Sequence, residues 1–158
     1  MKKRMIGILA VLFVLVTLCS LTIYICNNTL AKKQAERLLT CELPRNARLL
    51  DSASFAGKLS GNGNGMQWTG SILIESDAEF NEDSLYQWFA HQIQPDEPME
   101  TIDVFFLDAP YFYGHQKNRF SGETHGGPYY EIRLCTSSVS GLEASVWEKV
   151  LNFDFRAH

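Results

Sequence analysis

Between Lys58 and Lys117 the sequence contains no lysine or arginine, and from Met5 to Ile25 it contains no charged residue of either sign. The first gap belongs to an acidic region. Residues 42–158 hold eight Lys/Arg against seventeen Asp/Glu, a balance of −9, whereas residues 1–41 stand at +5. A surface of that sign is repelled by phosphate backbones and anionic headgroups, so no nucleic-acid partner is expected. Either a charged partner is cationic, or the acids simply keep the surface soluble. Cysteine is scarce, with four in 158 residues, which excludes a disulfide-built scaffold. Also missing are a His-Glu-x-x-His helix, a Gly-x-Ser-x-Gly elbow and a lysine-terminated phosphate loop. The acids from Glu75 to Asp83 resemble a calcium loop at a glance. Counting from Glu75, however, the required glycine and glutamate fall on Phe80 and Tyr86. His115 and His125 with Glu123 match no metal-ligand spacing. No metal and no cofactor is expected.

The second gap has the opposite meaning. Thirteen of the 21 residues from Met5 to Ile25 are Ile, Leu, Val or Phe. As a helix rising ~1.5 Å per residue they span about 30 Å, the thickness of a bilayer's hydrocarbon core. A cleaved secretory signal has a shorter apolar core and a small-residue site after it, and Ile23-Tyr24-Ile25 offers none. Thr29-Leu30-Ala31 is the best cleavage candidate but lies beyond the core. Cys19 follows Leu18 and Cys26 follows Ile25, so neither has the small preceding residue of a lipoprotein. Lys2, Lys3 and Arg4 abut the start of the span, while Lys32 and Lys33 stand off from its end, which favours a cytoplasmic N-terminus. The expected organisation is a basic flank (1–4), a transmembrane helix acting as a signal-anchor (5–25), a helical stalk (26–42) and an extracytoplasmic domain (43–158).

Leu43-Pro44 should end the stalk helix. Ala47–Asp51 and Ser54–Ser60 read as one extended run, and Met66–Ile74 as a second. Gly61-Asn62-Gly63-Asn64-Gly65 between them predicts a β-hairpin tip, because Asn and Gly tolerate positive φ. Asn81 can cap a helix whose apolar stripe is Leu85, Trp88, Phe89 and Ile93, stopped by Pro95 and Pro98. Thr101–Leu107 and Tyr129–Thr136 read as strands, 142–150 as a short helix and Asn152–Arg156 as a last strand. Without regular βαβ alternation this is an α+β fold, a mostly antiparallel sheet with one main helix on a face. Phe80, Trp88, Phe89, Phe105, Phe106, Trp147 and Phe153 are expected to supply much of the core.

The connection from Asp108 to Pro128 is long, and it is dense in aromatic and hydrogen-bonding side chains. Tyr111, Tyr113, His115, Arg119 and His125 are therefore the candidate ligand-binding residues. Flat apolar faces with polar edges suit a sugar or a peptide; equally, some of these aromatics can be core. Cys41 and Cys135 are the pair a disulfide would join, worth ~4–5 kcal/mol over so long a loop if the geometry allows it.

The run Gly57-Lys58-Leu59-Ser60-Gly61-Asn62-Gly63-Asn64-Gly65-Met66-Gln67, followed by Gly70 and Ile72-Leu73-Ile74, resembles that of short bacterial membrane-anchored proteins of unknown function. The resemblance implies a place in a bacterial envelope and no particular activity. Three functions then compete. The first is a non-catalytic module anchored in the membrane by residues 5–25 and binding an envelope protein or cell-wall component. The second is an envelope hydrolase, which needs two suitably placed carboxyls. The third is a pilin-like structural subunit, which also joins an apolar N-terminal helix to an α+β domain. Gly7 fits the end of a pilin leader, but Leu12 stands where such subunits carry glutamate.

Overall fold

A single helix, α1 (Lys2–Leu39), runs unbroken through both the uncharged span and the segment read as a stalk. The computed structural model describes residues 2–58, 66–76, 80–93, 99–112 and 120–138. After α1 come β1 (Ala47–Lys58), β2 (Met66–Ser76), α2 (Glu82–Gln92), β3 (Glu100–Leu107) and β4 (Tyr129–Ser138). The four strands form one antiparallel sheet in the order β1-β2-β4-β3. This is the expected α+β class. The expected tip at 61–65, the helix at 142–150 and the strand at 152–156 lie outside the described residues.

The two ends of α1 live in different surroundings. Met5 to Leu18 are exposed almost continuously, while Asn27, Ala31, Gln34, Ala35 and Leu38 are buried. Those buried positions recur every three or four residues, so they form one stripe, and the stripe lies on the sheet. Residues 27–38 are thus packed into the domain and do not stand free of it as a stalk. The contact is close because it is made of small residues. At Gly70 of β2, a Cβ would lie 2.0 Å from the Ala35 amide nitrogen. Ala31 packs with Ala56 and Met66 beside it.

Polar side chains fix where α1 sits along the sheet. Trp68 donates its indole N–H to Asn27 Oδ1 (3.1 Å). Gln34 donates to the Thr136 hydroxyl (2.8 Å), which donates in turn to Glu100 (3.2 Å). Arg37 closes the circuit by gripping Glu100 with two nitrogens. A helix slipped by one turn would leave these buried groups unpaired. Replacing Thr136 by valine keeps the shape and deletes both hydroxyl bonds. The expected cost is about 1–2 kcal/mol, read from a lowered urea midpoint with α1 still docked. An unchanged midpoint would mean the network does not hold the register.

Helix α1 stops at Leu39, before Leu43-Pro44, where its bonding tightens from i→i−4 to i→i−3. Thr40 N bonds to Glu36 O, Cys41 N to Leu38 O, and the Thr40 hydroxyl to Arg37 O (2.7 Å). Helix α2 begins as expected, with the Asn81 side chain accepting from Asp83 N (2.8 Å).

Alternation in the strands produces two unlike faces. Ile72, Ile74, Tyr130, Ile132 and Leu134 face the helices, packing with Leu38 of α1 and Leu85, Phe89 and Ile93 of α2. On the opposite face Leu73, Leu107, Phe112 and Tyr129 form a second cluster, joined by Tyr111 and Phe120. The aromatic core expected from sequence needs correcting. Phe89 is fully buried, but Trp88 and Phe106 are 43% and 53% exposed. Trp88 falls beside the Leu85–Phe89–Ile93 line and donates its indole N–H to the Glu42 carbonyl (2.7 Å). Tyr130 takes the central place instead, its hydroxyl bonded to both the amide and the carbonyl of Phe80. Phe80 and Phe105 are partly buried at the edges of the clusters. Trp147 and Phe153 lie outside the described residues.

Candidate functional site

Strand β3 pairs with β4 on one side only among the described residues, and α2 lies beside it on the helix-bearing face. Between them is a cavity of about 300 Å³, lined by Tyr86, Ala90 and Ile93 of α2, Glu100–Asp103 of β3, and Leu134 of β4. The stripe of α2 is turned into the core, so Tyr86 and Ala90, one position past Leu85 and Phe89, fall on its flank and wall the cavity.

Backbone direction in β3 follows from two bonds. Ser137 of β4 donates to the Met99 carbonyl, and Phe106 donates its amide to the Glu82 carboxylate (2.7 Å). Residues of odd number therefore pair with β4, and those of even number turn their amides and carbonyls outward. Glu82, in the first turn of α2, closes the far end of this edge. The outward groups of Ile102 and Val104 carry no partner among the described residues. Outside α1, the exposed large apolar side chains among the described residues are Leu49, Tyr86, Trp88, Met99 and Phe106. Four of these five sit on α2, on β3 or immediately before it.

The charged groups near the cavity do not converge. Glu100 and Asp103 both border it, but an even and an odd position of one strand point to opposite faces. Glu100 is held back by Arg37 and Thr136, whereas Asp103 is exposed. Elsewhere, Glu131 is fully buried and held by two nitrogens of Arg133 (2.7 and 3.0 Å), whose guanidinium lies 4.6 Å from the Phe105 ring centroid. Glu75 is bound by Arg48 and by the amides of His125 (2.7 Å), Gly126 (3.0 Å) and Gly127 (3.4 Å). Each of these three buried carboxylates thus has an arginine of its own. Among the described residues no three His, Cys, Asp or Glu side chains are grouped to hold a metal ion.

The candidate residues of the 108–128 connection are spread over different tasks. Tyr111 packs against the second core cluster beside Phe112. His125 has an exposed side chain, and its contribution is the backbone amide given to Glu75. Tyr113, His115 and Arg119 lie outside the described residues. The cysteine pair also needs correction, since both thiols are free. Cys41 packs against the helix-bearing face, whereas Cys135, next to inward-facing Leu134, points to the other side of the sheet. A bridge would have to pass through the sheet. Burial raises both thiols above their ordinary value, against the lowering effect of Arg37 at Cys41 and of Thr69 at Cys135. A protonated, enclosed thiol is a poor nucleophile.

The groove between α2 and β3 went unread in the sequence, although both elements were located. Its signal was the stretch of residues 59–116, which carries ten Asp/Glu and no Lys or Arg and supplies both α2 and β3. Comparison with protein-family models, with characterised proteins and with solved structures finds no match for the chain.

Proposed function

We propose that the chain is a single-pass protein of a bacterial cell membrane, N-terminus cytoplasmic, holding a non-catalytic binding module on the outer side. The observation that carries this reading is the division of α1 into an exposed apolar part and a buried part within one unbroken helix. The first is long and apolar enough to cross a membrane, with none of it covered by the domain. Its serine and threonine hydroxyls are suited to lipid. Thr17, Ser20 and Thr22 each donate to the carbonyl four residues back, at 2.8–2.9 Å, so these three hydroxyls are paired within the helix. Asn27 already touches Trp68, two residues beyond Ile25, so the sheet starts at the membrane surface and inherits the direction of the helix. A rigid mount of this kind suits a module that must present one edge at a fixed height and angle.

Binding is favoured over catalysis by the state of the ionisable groups. A hydrolase would need two carboxyls facing one substrate, one of them with a raised pKa. Among the described residues the buried carboxylates Glu75, Glu100 and Glu131 are each matched to arginine, and the two acids at the cavity diverge. The pilin-like reading gains from one feature, the continuous helix docked on an antiparallel sheet, and loses on Leu12. It would require filaments that sediment from sheared cells.

The topology has a direct check. With an epitope tag after His158, protease added to intact cells should remove the tag completely, and cells opened beforehand should give the same digestion. A tag protected in intact cells and lost only on lysis would reverse the orientation and end the proposal.

A further inference from the structure

We infer that the groove between α2 and β3 receives an extended, basic segment of another envelope protein, added as a fifth strand along β3. The inference rests on the reading of the chain as an outward binding module and names its site and partner chemistry. Two features point to it. The outward amides and carbonyls of Ile102 and Val104 offer strand hydrogen bonds that nothing among the described residues takes up. The 300 Å³ cavity lies directly along that edge, walled by Ala90, Ile93, Ile102, Leu134 and the exposed Tyr86. An apolar edge that no described residue protects is a pairing surface unless something covers it.

The two sides of β3 define the occupant's pattern. A strand added to β3 alternates its side chains between the same two faces. Those on the helix-bearing side enter the cavity against Tyr86, Ala90 and Ile93 and must be apolar. Those on the other side lie along the exposed Thr101 and Asp103 and gain from positive charge. Net charge then decides between a foreign strand and a second copy of this chain. Two copies pairing β3 to β3 would bring together two sets of the exposed acids Glu82, Asp83, Asp103 and Asp108, in a stretch without lysine or arginine, whereas a basic strand is attracted. An alternating apolar–basic segment satisfies both sides.

The test uses the full chain in lipid nanodiscs and a fluorescein-labelled, end-blocked octapeptide of alternating lysine and valine, read by fluorescence anisotropy. Specific binding is expected. The same peptide with glutamate in place of lysine, and one N-methylated at alternate residues along the edge that would pair with β3, should bind at least tenfold more weakly. Ala90→Trp, which fills the cavity, should also weaken binding at least tenfold. Asp103→Asn, at an exposed position, should weaken it severalfold and flatten its dependence on salt. Circular dichroism and the thermal midpoint establish that both variants are folded. Equal binding of the acidic or N-methylated peptide, unchanged binding to Ala90→Trp, or a nanodisc-free dimer cross-linked through β3 would each overturn the inference. If the peptide fails to bind while the C-terminal tag remains open to external protease, the groove assignment falls and the anchored topology stands.

Discussion

Gly70→Ala should cost the folded state about 3 kcal/mol, the upper end of what an added methyl costs in a packed interior. The reason is that the obstacle is backbone. The new Cβ would stand 2.0 Å from Ala35 N, 2.3 Å from Gln34 C and 2.5 Å from Ala35 Cα, none of which can rotate away as a side chain can. To restore ordinary contact α1 must retreat by roughly 1 Å or more. A shift of that size also stretches Asn27–Trp68, Gln34–Thr136 and Arg37–Glu100, since all three bonds span the same interface. Hydrogen bonds weaken steeply beyond their normal length, so the variant loses its register-setting network along with its packing. The measurement is a urea titration of the full chain in detergent micelles, followed by tryptophan fluorescence. Gly7→Ala is the control, because a methyl there meets nothing within 4 Å, and it should shift stability by no more than ~0.5 kcal/mol. A Gly70→Ala midpoint equal to that of the native chain would mean that the helix is not seated on β2 as described.

What was legible in the sequence depended on whether the signal was local. The four strands and α2 were found within a few residues, because period-2 and period-3.6 patterns and the Asn81 cap are written into consecutive positions. The docking of α1 was not found. Its signal is small residues, Ala31 and Ala35 on the helix and Gly70 on β2, and smallness announces closeness only when the partner is known. The aromatic core was misjudged for a related reason. Trp88 and Phe106 are as hydrophobic as Phe89, and only their places in the fold leave them partly in water, Trp88 on the flank of α2 that meets Glu42 and Phe106 on a strand with one neighbour among the described residues. The functional candidates show the same division. Aromatic density in the 108–128 connection was easy to see and turned out in part to be core, through Tyr111 and Phe112. The groove is made by two elements that each looked ordinary, and it exists because β3 takes the outer place in a sheet whose order is not the order of the chain. Nothing in the run of residues states that order.

Glu75→Gln should destabilise the fold by about 2–3 kcal/mol at neutral pH, and the loss should shrink as the pH falls. Glu75 is 3% exposed, yet it sits at the end of β2, where its carboxylate organises the return of the chain into β4. Three successive amides, from His125 to Gly127, turn inward to meet it. They can do so because Gly126 adopts φ +80°, and because a side chain at Gly127 would strike the Ser76 carbonyl at 2.1 Å. Glutamine fills the same space but brings no charge to Arg48 and the amides, and it puts a donor where an acceptor is needed. The amides should matter more than the arginine, whose side chain is 47% exposed and well solvated. Burial alone would raise the pKa of Glu75; the bonds from Arg48, His125 and Gly127 outweigh it and hold the carboxyl below its ordinary value of 4.5. A folded pKa below the unfolded one gives stability that is complete above the unfolded value and is lost as pH drops through the folded value. The native chain should therefore lose stability below about pH 4.5 along a slope that Glu75→Gln lacks, and the two titration curves should approach each other in acid. Parallel curves across that range, or a variant as stable as the native chain at neutral pH, would show that the turn at 125–127 holds itself without the carboxylate.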